Sequence, residues 1–116
     1  MVFDFMSLAR DSKLLNPDVF SVIRFQLLLN LSMVDEAPYR DLKSGLQLSD
    51  GALYTNLKAL EKMGYVESRK IKIGNKNLDV YRITKSGREE WNLVKEWLRR
   101  VVSNGFWKNN NLYETN

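Results

Sequence analysis

Residues 46–66 constrain the fold more than any other stretch, because their apolar residues recur with the period of an α-helix. Three leucines spaced by four and three residues lie on one stripe of an amphipathic helix: Leu53, Leu57 and Leu60. Ser49 is a suitable N-cap, and Gly64 follows the last periodic residue, where a helix commonly ends. The pattern predicts a helix of about four turns.

The side chains on the opposite face of this predicted helix are short, hydroxylated or basic. Hydroxyls suit base edges and lysines suit phosphates, so the face fits a DNA major groove. An ordinary solvated face is the alternative, since charged outer faces are usual. We take Tyr54, Thr55 and Lys58 as base-facing, while Asp50 serves only the helix or accepts from a cytosine amine. The predicted DNA contacts of the helix are Ser49, Gly51, Tyr54, Thr55, Lys58 and Lys62.

After residue 66 the apolar period changes to two. Apolar residues alternate with basic ones before and after a polar stretch at residues 74–77, which predicts a β-hairpin with a polar tip. We expect its core side to consist of Ile71, Ile73, Tyr81 and Ile83. A helix followed by a basic hairpin is the order of a winged helix, and the DNA contacts predicted for the hairpin are Arg69, Lys70, Lys72, Asn75, Lys76 and Asn77.

The distribution of charge agrees with this interpretation. The chain carries a net charge of +4. Residues 69–88 hold seven basic side chains against one acid, Asp79, whereas residues 1–47 are slightly acidic. A basic block confined to one segment is typical of a phosphate-binding surface.

The segment before residue 46 predicts the rest of a helix-turn-helix. Asn16 and Pro17 indicate the start of a core helix that continues to about residue 31, and a short strand contact is expected near Ala37. A second helix is predicted from Tyr39 to Ser44, ending at Gly45. Tyr39 and Arg40 are weaker candidates for phosphate contacts, and Tyr39 fits a half-buried core position equally well.

Both ends of the chain are expected to be helical extensions. Residues 1–15 form an apolar arm that packs on its own domain or exchanges with a second subunit, and Thr84 caps a helix to about Ser103. The apolar residues of this last helix are more than the core of one small domain can bury, which favours a two-fold dimer. The predicted interface is Phe5, Leu8, Trp91, Val94, Trp97, Leu98 and Val101. The domain boundaries are then 1–15, 16–91, 92–105 and a flexible tail at 106–116, from which Phe106 and Trp107 tuck back.

The absence of cysteine and histidine excludes several kinds of site. Disulfides, thiolate nucleophiles, Cys/His metal sites and Ser-His or Cys-His catalysis all require these residues. The carboxylates are scattered and no phosphate-binding glycine loop occurs. We expect no enzyme, no metal and no cofactor. The chain contains no long apolar run or basic start typical of a membrane span or signal peptide, so a cytoplasmic protein is expected.

Two segments resemble a known superfamily. Residues 48–66, LSDGALYTNLKALEKMGYV, and residues 81–88, YRITKSGR, are similar to the small prokaryotic winged-helix transcription regulators of the MarR, ArsR and PadR groups, above all to short archaeal members. The likeness covers roughly residues 18–91. It implies an α+β, mainly helical winged helix-turn-helix that binds DNA as a dimer. The lack of Cys and His argues against an ArsR-type metal sensor.

The favoured function is therefore a homodimeric regulator that binds double-stranded DNA at a pseudo-palindromic operator and is associated with the nucleoid. Two alternatives remain open. One is a non-specific, chromatin-like DNA-binding protein, and the other is a winged helix that binds an acidic protein partner. By analogy with the MarR group, a small apolar effector would bind between the arm and the last helix, although no residue demands one.

Overall fold

The computed structural model describes residues 5–104, which form an α+β, mainly helical fold as predicted. The elements in chain order are α1 (Phe5–Ser12), a 3₁₀ turn (Pro17–Val19), α2 (Val22–Ser32), β1 (Ala37–Pro38), α3 (Tyr39–Leu46), α4 (Asp50–Lys62), β2 (Val66–Ile73), β3 (Lys76–Ile83) and α5 (Lys85–Asn104). They belong to two compact units, residues 17–91 and the described parts of residues 1–16 and 92–116. No helix in residues 5–104 is both long and apolar enough to cross a membrane.

Helix α4 has the start and end predicted from the sequence. The Ser49 hydroxyl oxygen accepts the Ala52 N–H at 3.1 Å, which satisfies one of the unpaired amides of the first turn. Gly64, just after the helix, has a φ of 82°, a left-handed conformation that glycine adopts without strain. The leucine stripe is completely buried, and its members are Leu53, Leu57 and Leu60.

Helix α2 starts later than predicted. Pro17 begins only a 3₁₀ turn, closed by a hydrogen bond from the Phe20 N–H to the Pro17 carbonyl at 3.1 Å. The α-helix starts at Val22, because the Ser21 side chain accepts the Arg24 N–H and caps it there. The prediction that Asn16 caps this helix was wrong. Three leucines of α2 are buried in the core, Leu27, Leu28 and Leu31, whereas Val22 and Leu29 are exposed.

Helix α3 extends beyond the predicted end at Gly45. It ends at Leu46, and the next residue, Gln47, takes the left-handed conformation with φ 55°. The Leu48 N–H donates to the Lys43 carbonyl at 3.0 Å and closes the helix end. Glycine is preferred at a left-handed helix end but is not required there. The prediction that α3 ends at Gly45 was therefore one residue too early. The short strand contact predicted near Ala37 is confirmed as β1.

The sheet is antiparallel with the order β1-β3-β2. The hairpin loop is shorter than predicted, because Ile73 pairs with Lys76 and leaves a loop of Gly74 and Asn75 only. Gly74 has φ 62°, as the first residue of a tight two-residue turn requires. Lys76 and Asn77 therefore belong to β3 and not to the tip.

The predicted core side of the hairpin is confirmed for Tyr81 and Ile83 and was wrong for Ile71 and Ile73. Ile71 pairs with Leu78 and Ser68 pairs with Tyr81, so Ile71 and Tyr81 lie on opposite faces. A hairpin whose loop has an even number of residues pairs odd-numbered positions with even-numbered ones, which prevents these two odd-numbered residues from sharing a face. Ile73, on the face of Ile71, is 60% exposed, whereas Tyr81 and Ile83 are buried.

Thr84 caps α5 as predicted, since its hydroxyl oxygen accepts the Gly87 N–H at 3.0 Å. The same hydroxyl donates to the Gly64 carbonyl at 2.6 Å, and the Ser86 hydroxyl donates to that carbonyl at 3.0 Å. These bonds attach the start of α5 to the chain that leaves α4.

The arm packs on the last helix of its own chain. The Trp97 indole N–H donates to the Leu8 carbonyl at 3.0 Å, and the Arg100 guanidinium bonds the Asp11 carboxylate at 2.6 Å. Among the predicted interface residues, Leu8, Trp91 and Val94 are buried in the single chain. The others whose side chains are described are half-buried, namely Trp97, Leu98 and Val101. The Phe5 side chain, and Phe106 and Trp107, lie outside what is described.

Candidate nucleic-acid interface

The polar face of α4 points away from the core. Because the leucine stripe fixes the rotation of the helix about its axis, the side chains on the opposite side are exposed. Tyr54 is 56% exposed, a large aromatic surface outside the core. The Lys58 ammonium lies 5.4 Å from the centre of the Tyr54 ring, a cation-π contact that orients both side chains. The exposed residues are Gly51, Tyr54, Thr55, Lys58 and Lys62.

One face of the hairpin turns toward α4, and we call it the inner wing face. The strand register places on it Ser68, Lys70, Lys72, Asn77, Asp79 and Tyr81. The Ser68 hydroxyl donates to the Glu61 carboxylate of α4 at 2.7 Å, which attaches the hairpin to the helix. The helix and the wing are thus held together by a direct side-chain bond.

A cleft of about 450 Å³ lies between α4 and the inner wing face. Its walls combine aromatic hydroxyls with cations, and the lining residues are Tyr39, Tyr54, Lys58, Ser68, Arg69, Lys70, Asp79 and Tyr81. Burial raises the pKa of Tyr81 to about 12. A cleft with these walls suits a polyanion with flat, stackable groups.

Several cations of the predicted interface already have a carboxylate partner. The Lys58 ammonium lies 3.2 Å from Glu61, the Lys70 ammonium 3.1 Å from Asp79, and the Arg69 guanidinium 2.6 Å from Glu36. Hydrogen bonding to Glu61 raises the pKa of Lys58, and hydrogen bonding to Glu36 raises the pKa of Arg69. In residues 5–104, the cations of the predicted interface that make no such ion pair are Lys62, Lys72 and Lys76.

Asp50 connects the two helices of the helix-turn-helix. The Lys43 ammonium of α3 lies 3.0 Å from one oxygen of the Asp50 carboxylate, and the Tyr39 hydroxyl donates to the other at 3.2 Å. The hydrogen bond from Lys43 holds the pKa of Asp50 below its usual range. Burial, together with the bond to Asp50, raises the pKa of Tyr39. The carboxylate therefore has two protein partners across the turn.

The remaining candidates occupy the edges of this surface. Arg40 is exposed in the first turn of α3, with its guanidinium 4.0 Å from Asp41, and Tyr39 is half-buried with its ring 6.2 Å from that of Tyr81. Asn75 and Asn77 are exposed at the end of the wing. Within the described part of the chain, no group of three or more Asp and Glu side chains comes together as a metal site would require.

Comparison with known proteins assigns the fold to a family. The family model described as a winged helix DNA-binding domain matches residues 23–102, which is more than half of the chain. The chain belongs to the winged helix DNA-binding domain family. An uncharacterized protein of Methanocaldococcus jannaschii is 37% identical to it over 68 residues, which are 59% of this chain and 74% of that protein.

Solved structures of transcriptional regulators share this winged helix fold. A transcriptional regulator homologue from Pyrococcus horikoshii OT3 has a TM-score of 0.74 at 24% identity, over 84% of this chain and 95% of that one. A mutant MarR from E. coli, complexed with operator DNA, has a TM-score of 0.55 at 22% identity, over 89% of this chain and 79% of that one. The predicted likeness to small winged-helix regulators is confirmed.

The winged helix also contains polar residues that the sequence analysis missed. Glu61 and Ser68 join α4 to the wing, and Lys43 holds Asp50. Glu61 follows Lys58 by three residues, a spacing that predicts a pair on one helix face. No local pattern indicates the contacts of Ser68 and Lys43, because each reaches a different element seven residues away along the chain.

Proposed function

We propose that this winged helix protein is a sequence-specific, double-stranded-DNA-binding transcriptional regulator that acts as a homodimer at the nucleoid. One observation carries the proposal: the exposed face of α4 and the lysine-bearing inner wing face border the same cleft. If α4 enters a major groove, the wing then lies over the adjacent phosphates or minor groove.

In this arrangement the side chains of α4 have separate roles. Tyr54, Thr55 and Lys58 contact base edges, while Lys62 contacts phosphate. A Cβ at Gly51 would meet nothing within 4 Å in the chain itself, so internal packing does not require a glycine there. The glycine allows the N-terminus of α4 to approach DNA closely. Ser49, the exposed N-cap, contacts the DNA at the same place.

The wing supplies affinity without reading sequence. Lys72 and Lys76 carry cations that no carboxylate pairs within residues 5–104, and they contact phosphates. Asn75 and Asn77 lie at the end of the hairpin, where they reach the minor groove. Arg69 and Lys70 join them once phosphate replaces their carboxylate partners.

Dimerisation would place two copies of α4 in successive major grooves about 34 Å apart. We assign the interface to the side chains of α5 that remain half-buried in the single chain, Trp97, Leu98 and Val101, together with Phe5 of the arm. Leu8, Trp91 and Val94 are buried already and support the protomer. The fold shared with the DNA-bound MarR mutant supports DNA binding in this geometry.

An apolar effector has less support. The cavity between α1 and α5, lined by residues such as Leu14, Leu93 and Trp97, measures about 190 Å³. Pockets for drug-sized ligands begin at about 300 Å³. This cavity of the single chain is smaller than such a ligand needs, so our proposal includes no effector.

The test is binding of the purified protein to its own upstream DNA and to a scrambled duplex of equal length. Fluorescence anisotropy over a salt series gives the affinity and its salt dependence for each. A preference of about a thousandfold that persists at physiological salt is the expected result for a specific regulator. Equal, steeply salt-dependent binding to both duplexes would favour the non-specific alternative, and binding to neither would favour a protein partner.

Variants separate base reading from phosphate binding. Tyr54→Ala and Thr55→Ala should reduce the preference between duplexes, because they remove base contacts worth about 1–3 kcal/mol each. Lys72→Ala and Lys76→Ala should weaken binding to all duplexes and reduce the salt slope by about 0.9 each. Lys13→Ala, an exposed lysine of the other compact unit, is the charge control and should change neither quantity.

A further inference from the structure

Two carboxylates pair with the two lysines that line the cleft. Glu61 of α4 lies 3.2 Å from the Lys58 ammonium and accepts the Ser68 hydroxyl at 2.7 Å, while Asp79 of β3 lies 3.1 Å from the Lys70 ammonium. Lys58, Lys70 and Asp79 line the cleft directly. Each wall of the cleft therefore carries a lysine that is already paired with a carboxylate.

These ion pairs are exposed enough for a phosphate to exchange with the carboxylate. The Lys70 side chain is 78% exposed and that of Asp79 49%, whereas the Lys58 side chain is 52% exposed and that of Glu61 only 20%. An exposed pair of this kind changes an equilibrium constant by about fivefold at most, because solvent screens it. The carboxylates thus weaken phosphate binding without preventing it.

A second hairpin pair provides an internal comparison. Glu67 and Arg82 are paired across the same two strands as Lys70 and Asp79, but the register places them on the opposite face of the hairpin. Like the pair of Lys70, this pair is exposed to solvent. It faces away from the cleft and its cation is an arginine, so removal of its acid controls for the change in net charge.

We infer that Asp79 and Glu61 are built-in competitors of DNA for Lys70 and Lys58, and that they set an upper limit on how tightly this protein holds DNA. The inference rests on the proposed DNA-binding function. When a phosphate takes Lys70, or a base edge takes Lys58, the carboxylate that loses its cation remains beside the DNA, where like charges repel. Such a carboxylate also attracts a cation, which offsets part of the counterion release from DNA.

The experiment measures affinity for a random-sequence duplex with Asp79→Asn, Glu61→Gln and Glu67→Gln. Each amide keeps the shape of the acid it replaces, and the amide oxygen introduced by Glu61→Gln can still accept the Ser68 hydroxyl. At low salt we expect Asp79→Asn and Glu61→Gln each to bind about three- to fivefold tighter than wild type, with a salt slope steeper by up to about 0.9. Glu67→Gln should gain less than about 1.5-fold, because screening weakens its more distant charge.

A second pair of variants tests competition itself. If Asp79 acts by occupying Lys70, the gain from Asp79→Asn disappears when it is made in Lys70→Ala, because the cation in dispute is then absent. If Asp79→Asn still raises the affinity in the Lys70→Ala background, Asp79 does not act by competing for Lys70. Thermal unfolding of every variant establishes that the fold is retained.

The outcomes separate this inference from the function on which it rests. Equal gains from all three acid-to-amide variants would show a general charge effect and overturn the inference, as would wild-type affinity in Asp79→Asn and Glu61→Gln. Either result leaves DNA binding by the wild type intact. If the wild-type protein binds no duplex at all, the proposed function fails, and the inference fails with it.

Discussion

The backbone of Gly87 lies directly against the backbone of Tyr65, so that a Cβ on residue 87 would come within 2.1 Å of the Tyr65 carbonyl oxygen. The Thr84 N–H donates to that same carbonyl at 2.9 Å. Together with the bonds that Thr84 and Ser86 donate to the Gly64 carbonyl, this contact sets how α5 leaves the end of the hairpin. Glycine is required here by close approach and not by backbone conformation.

Gly87→Ala should therefore destabilise the protein strongly. The new methyl group meets backbone atoms that cannot rotate away, and overpacking of this kind costs about 1–3 kcal/mol or more. Chemical denaturation followed by circular dichroism measures the change in the free energy of unfolding. Gly45→Ala is the matched control, since a Cβ there meets nothing within 4 Å, and it should stabilise α3 by up to about 1 kcal/mol. Equal effects of the two substitutions would contradict the contact.

Gly51→Ala should separate stability from DNA binding. Its Cβ has open space in the free protein, so replacing glycine in the first turn of α4 should leave stability unchanged or raise it by up to about 1 kcal/mol. If the helix N-terminus approaches DNA closely, the added methyl group should weaken binding by about tenfold, the scale of one lost base contact. Anisotropy on the specific duplex measures this effect. Unchanged affinity would show that the glycine is not at the contact surface.

The link between Asp50 and Lys43 predicts a pH dependence of stability. The folded-state pKa of Asp50 is lowered from 3.8, so the stability it contributes is present above that value and is lost as the pH falls through the lower folded-state pKa. Asp50→Asn should be less stable than wild type at neutral pH, and the difference should close below about pH 3.8.

Thermal unfolding of both proteins between neutral and acidic pH measures that difference. Asp41→Asn, which removes an exposed acid from α3 whose nearest cation is 4.0 Å away, is the control for loss of charge. A gap between wild type and Asp50→Asn that stayed constant at every pH would mean that the carboxylate charge does not connect α3 to α4.

The proposed dimer makes a prediction about mass in solution. Light scattering should give twice the chain mass of 13.6 kDa for the wild type. Leu98→Asp should shift the mass to that of a single chain, because a charge in an apolar interface loses its hydration. Val22→Asp places the same charge on α2 at a side chain that is 74% exposed, and it should leave the dimer intact. Dissociation by Val22→Asp alone would move the interface away from α5.

The elements predicted correctly are those whose causes lie within a few residues of one another. The bounds of α4 follow from a cap that bonds an amide three residues away and from a glycine at the helix end. The exposed face of α4 follows from the period of its leucines. Thr84 was likewise recognisable as a cap because it bonds the N–H of Gly87.

The errors arose where two local patterns competed or where strand pairing decided the outcome. The sequence offers two acceptable helix starts, one at Asn16 and Pro17 and the other at Ser21. Only the folded chain shows that Ser21 is the cap of α2. Ile71 and Tyr81 each belong to an alternating strand, yet the pairing of β2 with β3 places them on opposite faces.

The sequence alone thus determined where α4 begins and ends and which of its residues are exposed, since both depend on contacts three or four residues apart. Only the tertiary structure decided which cations are already paired. Arg69 meets Glu36 from 33 positions away, and Lys70 meets Asp79 across the hairpin. Distances between side chains so far apart in the chain depend on how the elements pack, and no periodicity of the sequence records them.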